Sequence, residues 1–486
     1  MSKLHDPTLP PGAIVEEFDD GGALRNDGVR LKPANQNPWY VLATLHGEQP
    51  ADAHPHYFDF TLADRNREVW SRWAQDALDD AEKAELLRLF RARLGNNSAE
   101  LPDPSEDYDF SYTYFSGFTC FESYNFKKAA NFCGATFNEC TDFRYATFFE
   151  EPLVEKATFI EVTDFPGTTF TKGAFFNHAT FSQSASFHSA IFSEETSFEM
   201  ATFSGKVAFH EVTFTEVTYF RDAIFYGNAF FHKATFKGET AFSGATFNRL
   251  AGFKDTTFNG ITFFSNATFS AKTIFNSATF KATTSFDGAR FLTHVPEFHA
   301  TEFYEDTVFP IPNTPTANWP PQSGADVMAA DDQKRAYSRL RLFFAKTQQI
   351  DEEQFFHRQE MRCKRVTAGW ATKGMYSIYS ALSDYGISIW RPLAYLILLT
   401  VLGGDLLGAH RQALGEGQDW AMLGENMGWS LANLVPFTGF GRTFFGPDFY
   451  QGLPGWLQAL AGAQTLAAIP LLFLLGLGLR NTFRLR

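Results

Sequence analysis

The chain has 486 residues, room for two or three domains and a large core. Its net charge of −14 is unevenly spread: −10 over residues 1–109 (21 acids against 11 Lys/Arg), −7 over 110–309 (21 against 14) and +3 over 310–486 (13 against 16). This balance argues against nucleic acid as a partner and suits contact of the C-terminal part with an anionic membrane surface.

The N-terminal stretch MSKLHDPTLPPGAIVEEFDD has no apolar run of the secretory kind, which predicts a start in the cytoplasm. Residues 37–49, NPWYVLATLHGEQ, read as a buried strand or turn. Residues 64–95 read as helix, with Trp70, Trp73, Leu78, Leu86, Leu87 and Leu89 as candidates for its apolar face. His54 and His56 flank Pro55, but no nearby acid or Cys completes a ligand set, so no metal is expected. Cys120, Cys133, Cys140 and Cys363 form neither a CxxC pair nor a zinc pattern and are expected to be free thiols.

The 56 Phe need an explanation of their own. One series runs from Phe137 and Phe148 through Phe159 to Phe291 in steps of eleven. A second runs from Phe132 and Phe143 through Phe165 to Phe286 in the same steps, with Val154 filling its one gap. They interleave as six and five. Two residues before each Phe the chain is small or β-branched, as at Ala179, Ala201, Val212, Thr196 and Thr218. The residue between them is usually Thr in the first series, as at Thr180, Thr202, Thr235 and Thr246. A helix would place Phe six apart about 240° around its axis, which makes no stripe. Hairpins would need turn signals and would not hold one register for so long. A coil that buries positions i−2 and i of each short extended segment satisfies both observations.

Residues 110–309 on this pattern resemble the pentapeptide-repeat family in its Phe-rich form. The resemblance implies a right-handed quadrilateral β-helix with the i−2 and i side chains inward. The spacing makes each coil 22 residues, so about 200 residues give roughly nine coils and a rod of about 43 Å at about 4.8 Å per coil. Phe298 comes one residue late, followed by Phe303 and Phe309, so the last coil is expected to be irregular. Residues 1–109 are expected to cap the rod's exposed end.

Residues 310–325 form a Pro-rich linker, and 326–390 read as one or two helices in which Tyr337, Leu340, Phe343 and Phe344 recur at three and four. Residues 391–486 hold two apolar runs, 392–410 and 455–479, each long enough to span a bilayer. Arg358, Arg362, Lys364, Arg365, Lys373 and Arg391 precede the first run, and Arg480, Arg484 and Arg486 follow the second. Positive charge on that side predicts a multi-pass protein of the inner (cytoplasmic) membrane with both termini in the cytoplasm. Asp405 is the intramembrane polar candidate, and Gly404 and Gly408 beside it form a GxxxG pair suited to close helix packing.

Between the runs, a helix-like stretch from Trp429 to Val435 leads into Phe437, Thr438, Gly439, Phe440 and Gly441. This layout resembles the pore module of two-span potassium channels, whose filter reads Thr-Val-Gly-Tyr-Gly. The resemblance makes Thr438, Gly439, Phe440 and Gly441 the filter candidates. Phe437 stands where the filter's Thr would be, Thr438 where its Val would be, and Arg442 where its following Asp would be.

The predicted class is mainly β: a right-handed quadrilateral β-helix with an N-terminal α/β cap domain, a helical linker and two C-terminal transmembrane helices. No catalytic, cofactor-binding or metal constellation is present in the sequence. The expected function is a membrane-anchored scaffold or sensor contacting lipid and a protein partner. The alternative is an ion-channel-like pore protein, tetrameric, with the β-helix as a cytoplasmic regulatory domain.

Overall fold

The computed structural model describes residues 9, 12–50, 58–310, 327–417, 419–435 and 440–483. Contacts divide the chain into two compact units, Met1–Gly324 and Ala325–Arg486.

The first unit is a four-walled parallel β-solenoid of about eight turns over residues 108–291. Its strands are two or three residues long, and each pairs with the strand 22 residues on, as Thr180 with Thr202 and Thr235 with Thr257. Four successive Phe, such as Phe176, Phe181, Phe187 and Phe192, lie on four successive walls at intervals of five, six and five. Inside, each Phe stacks on its equivalent in the next coil: Phe203 on Phe225 at 5.0 Å and 3°, Phe225 on Phe247 at 4.6 Å and 1°. Phe on different walls meet edge to face, as Phe231 and Phe242 do at 5.4 Å. Stacked along the axis and edge-on across it, the rings fill the interior in the arrangements their quadrupoles favour.

The inward residue at i−2 is Ala from Ala135 to Ala289 on one wall, a mixture of Ala, Val and Thr on two, and mostly Thr on the fourth. There the hydroxyl is buried, and Thr196, Thr218, Thr240 and Thr262 each donate it to the carbonyl two residues earlier, at 3.2–3.4 Å. That local bond satisfies the buried hydroxyl without help from water. The chain turns every second corner through a left-handed residue, spaced by eleven: Ser123, Gly134, Tyr145, Lys156, Gly167, His178 and onward. The glycines there have a second reason. A Cβ at Gly134 would stand 2.7 Å from the Tyr112 ring, at Gly167 2.6 Å from the Tyr145 ring, and at Gly244 2.1 Å from Asp222 Oδ1. The side chain one coil earlier already covers the spot.

A meander of β1 (Ile14–Glu17), β2 (Ala23–Arg25) and β3 (Arg30–Pro33) extends one wall by pairing Lys32 with Thr113, which covers that strand's free edge. Helix α1 (Pro38–Ala43) occupies the stretch expected to be a strand or turn; Asn37 caps it and accepts from the Trp39 and Tyr40 amides. The expected single helix over 64–95 is two, α2 (Phe60–Ala74) and α3 (Asp80–Leu94). A capping box between Asp79 and Glu82 restarts the chain after the break. Trp39, Tyr40, Trp70 and Trp73 close the rod's end over Tyr108, Phe115, Phe121, Tyr124 and Phe126. At the far end the extra residue before Phe298 shifts pairing to 23, yet Phe298, Phe303 and Phe309 still stack on Phe275, Phe280 and Phe286.

The second unit is helical. Helices α4 (Val327–Lys346) and α5 (Ile350–Thr367) pack through Tyr337, Leu340, Phe344, Phe355 and Phe356. Glu360 is buried between Arg341 (2.9 Å) and Lys364 (2.8 Å). Helix α6 (Trp370–Ser383) leads to α7 (Trp390–Ala413), then α8 (Trp420–Leu434), α9 (Phe440–Gly452) and α10 (Gly455–Phe483). Helix α9 breaks its helical path at Gly446. Helices α7 and α10 are apolar enough and long enough to cross a membrane.

Candidate functional site

The solenoid's outward side chains differ by wall. Two opposite walls carry threonine ladders, Thr158, Thr180, Thr202, Ile224, Thr246 and Thr268 on one and Thr169, Ile191, Thr213, Thr235 and Thr257 on the other. The other two walls vary. One presents Leu153, Phe175, Ser197, Tyr219, Ala241 and Phe263, and the other Asp142, Asp164, Ser186, Ala208, Phe230 and Ile274. The ladders repeat what strand formation favours at an open β position. The varied walls are where the sequence departs from that need.

The corner after the second varied wall carries His188, His210 and His232, one per coil. His210 lies 5.1 Å from the His232 ring and 5.6 Å from the Phe230 ring, with Lys206 over the outer face of Phe230 at 5.3 Å. Burial, aided by neighbouring cations, holds His210 and His232 below the usual histidine range.

Cys120, Glu122 and Asp142 are the one trio among the described residues whose ligand atoms lie within 4.8 Å of one another. The site already holds a cation. Arg144 donates Nε and Nη2 to Asp142 at 3.0 and 2.6 Å and stands 4.0 Å from Glu122. Burial pushes the Cys120 thiol up to about 12, so it stays protonated. The trio is a salt-bridged patch of the wall. All four cysteines are free, Cys363 buried and the other three half-buried.

In the helical unit α7 and α10 run antiparallel. His410 meets Trp456 at one end, and Asn481 Nδ2 bonds to the Gly386 carbonyl at 2.9 Å at the other. Helix α8 turns back between them. It starts level with the end of α7, where Arg411 bonds to Asn426 and Glu425. Its last turn packs Leu434 against Leu396, Ala468 and Leu471, well down both long helices. Ser430 Oγ and Gln464 Nε2 both donate to the Leu399 carbonyl, at 3.2 and 2.8 Å. Gln464 Nε2 also donates to Ser430 Oγ at 2.8 Å, and its Oε1 accepts from Asn433 Nδ2 at 3.1 Å. Tyr450 on α9 donates to Asn433 Oδ1 at 3.3 Å. Glycine makes the approach possible: a Cβ on Gly403 would lie 2.1 Å from Gln464 Nε2, and one on Gly404 2.6 Å from Met427 Sδ.

Of the residues singled out in the sequence, Thr438 and Gly439 lie outside the described residues, as do His54 and His56. Phe440 and Gly441 open α9 as helix, not as an extended filter strand, and Gly441 sits against Tyr450 and Ala432. Asp405 is exposed on the side of α7 away from the polar cluster, while Gly403, Gly404 and Gly408 are buried on the side facing α8 and α10. Of the GxxxG pair, Gly404 packs against Met427 and Gly408 is buried. Ser430, Asn433 and Gln464 were not read from the sequence. Their signal was an amide amid Ala and Leu in the most apolar run of the chain, and two polar residues three apart on the helix before the Gly-rich turn.

Fold and repeat together define a Phe-filled β-solenoid joined to a helical unit with two long apolar helices. Residues 198–246 and 242–290 match the family model described as pentapeptide repeats (9 copies). The solenoid therefore carries pentapeptide repeats. No curated protein and no solved structure matches the chain.

Proposed function

We propose that this protein is a membrane-anchored scaffold that uses the two varied walls of its solenoid to hold a protein partner and carries out no catalysis. The anchor reading rests on α7 and α10. Leu398, Val401, Leu402 and Leu406 on α7 and Leu466, Ile469 and Phe473 on α10 are apolar side chains left exposed among the described residues, as a bilayer requires. At about 36 and 43 Å both helices exceed a hydrocarbon core of about 30 Å. With both ends of the hairpin on one side and the basic residues flanking them, the termini and the solenoid lie in the cytoplasm.

The single observation that carries the scaffold reading is the contrast between walls. Phe175, Tyr219, Phe230 and Phe263 are aromatic where threonine would serve a strand equally well, and aromatic residues are enriched where proteins bind. Photo-crosslinking the full chain in membranes tests it. Probes at Phe175, Tyr219, Phe230 and Phe263 should capture one recurrent protein, and probes at Thr202, Thr213, Thr235 and Thr246 should not. Equal capture from all four walls, or none from any, refutes the reading.

The depth of α8 favours a second reading. Ser430 stands at the level of Leu399, near the middle of α7, so α8 and α9 would form a re-entrant hairpin. Such a hairpin is the layout of a channel-like pore, which two spans build only as a fourfold assembly. Flux through liposomes holding the purified chain, abolished by Gly441→Val, would favour the pore over the scaffold.

A further inference from the structure

Helix α6 has an apolar face that no described residue of its unit covers. Trp370, Met375 and Ile378 are 91%, 70% and 61% exposed. Ala371, Met375, Ile378 and Leu382 fall on one face at a spacing of three and four, with Lys373, Ser377 and Ser380 around the other. The protein holds only the helix's C-terminal end. Leu382 packs at the Leu396–Leu471 cluster, and Arg391 Nη1 donates to the Ser380 carbonyl at 2.7 Å. The turn that follows is rigid: Gly386 and Ser388 donate their amides to the Ser383 carbonyl at 3.1 and 2.9 Å. Asn481 of α10 bonds to Gly386, and Gly478 lies against Ser388. The turn is therefore fixed at the end of the hairpin where α7 begins and α10 finishes, and the first two turns of α6 project from it uncovered.

We propose that α6 lies along the cytoplasmic leaflet as an interfacial helix, its Ala371–Met375–Ile378 face in the acyl boundary and its Lys373, with Arg365 just before it, on anionic lipid headgroups. The inference rests on the reading of α7 and α10 as membrane spans. Three features select lipid as the occupant. A short fixed turn joins the face to α7, whose own outer side carries exposed Leu398, Val401 and Leu402. Residues 358–391 carry six Lys/Arg against Glu360 and Asp384, and Arg365 and Lys373 form no ion pair among the described residues. Trp370 and Trp390 stand at the start of α6 and the start of α7, where an indole favours the headgroup level. Amphipathic helices with Lys/Arg on the polar side, an apolar face opposite and a Trp at one end bind an anionic interface in this way.

Single spin labels test it on the full chain, with the native cysteines replaced by Ser, in phosphatidylcholine vesicles with and without phosphatidylglycerol. Labels at 371, 375 and 378 should favour oxygen over a water-soluble nickel chelate, and labels at 373, 377 and 380 the reverse, with the period of a helix. Lys373→Gln with Arg365→Gln should remove the dependence on phosphatidylglycerol. Labels at Leu398 and Phe473 report on the spans separately. If those two remain in lipid while 375 and 378 favour nickel, α6 lies in water and the inference is overturned. If 375 and 378 exclude both reagents, protein covers the face (a second copy of this chain among the occupants), which also overturns it. If Leu398 and Phe473 favour nickel, the span reading itself fails.

Discussion

Replacing Phe231 by Ala tests the claim that the stacked rings hold the solenoid. Phe231 is fully buried at mid-rod. It stacks on Phe209 at 5.0 Å and Phe253 at 4.9 Å and meets Phe220 and Phe242 edge-on at 5.6 and 5.4 Å. Its amide donates to the Gly252 carbonyl, and the Phe209 amide to the Phe230 carbonyl, both at 2.7 Å. These bonds fix the wall on either side, so the cavity left by the ring has little room to collapse. The loss should stand at the upper end of the Phe→Ala range, about 4–5 kcal/mol. Ile191→Ala, on an exposed outward position, should cost less than about 1 kcal/mol. Hydrogen exchange on the full chain reads both. In a solenoid each coil contacts only its neighbours, so Phe231→Ala should speed exchange by about a thousandfold in residues 198–264 and leave 110–137 near the parent rate. An effect under about 1 kcal/mol, or uniform acceleration along the rod, would refute the argument.

Gly403→Ala drives a methyl into Gln464 and Ser430 and should destabilise the helical unit by about 1–3 kcal/mol, read as a lower melting temperature in detergent, whereas Gly462→Ala, with open space around it, should be neutral. Gln464→Leu should cost about 1–2 kcal/mol and add little to Gly403→Ala, because both break the same hydrogen bonds. His210 and His232, facing Lys206, Lys254, His188, Glu211 and Asp255, titrate below the ordinary 6.5. Groups so lowered contribute stability that is complete above 6.5 and is lost as pH falls through it toward the folded value. The urea midpoint of the solenoid should therefore drop between about pH 7 and 5, and His210→Asn with His232→Asn should flatten that drop. Gly167→Ala, at φ +65° beneath Tyr145, should cost about 1–2 kcal/mol by chemical denaturation.

The solenoid was legible because one rule acts at every coil. A four-walled coil of 22 residues can bury its Phe only at intervals of five and six, so the interval in the sequence is the geometry itself. The cap was less legible. Asn37 before Pro38 is a helix start, yet the apolar run behind it, Trp39 to Leu42, is equally a buried strand, and periodicity does not separate the two over six residues. The break between α2 and α3 is written in Asp79 and Glu82, but continuous helix formers on both sides masked it. Corner residues such as Lys156 and Met200 take left-handed conformations that no local preference announces, because coil closure overrides propensity there.

In the helical unit the two apolar runs were legible as long helices, whereas the polar cluster between them was not. Gln464 looks like a lone blemish in an apolar run until Gly403 and Ser430 are brought beside it. A buried amide has a donor and an acceptor side to satisfy, and a helix satisfies neither for its own side chains. Gln464 therefore implies a partner on another helix, and a neighbour without a Cβ to let that helix approach. The only glycine pair in the first apolar run is Gly403–Gly404, and the helix between the runs supplies Ser430 and Asn433 three apart. Read jointly, those residues specify that α8 returns between α7 and α10. A polar group in an apolar segment is thus better evidence for a hidden third helix than for a conducting residue. That is why Gln464, satisfied by three partners, positions the hairpin, and why Asp405, exposed and outside the cluster, does not.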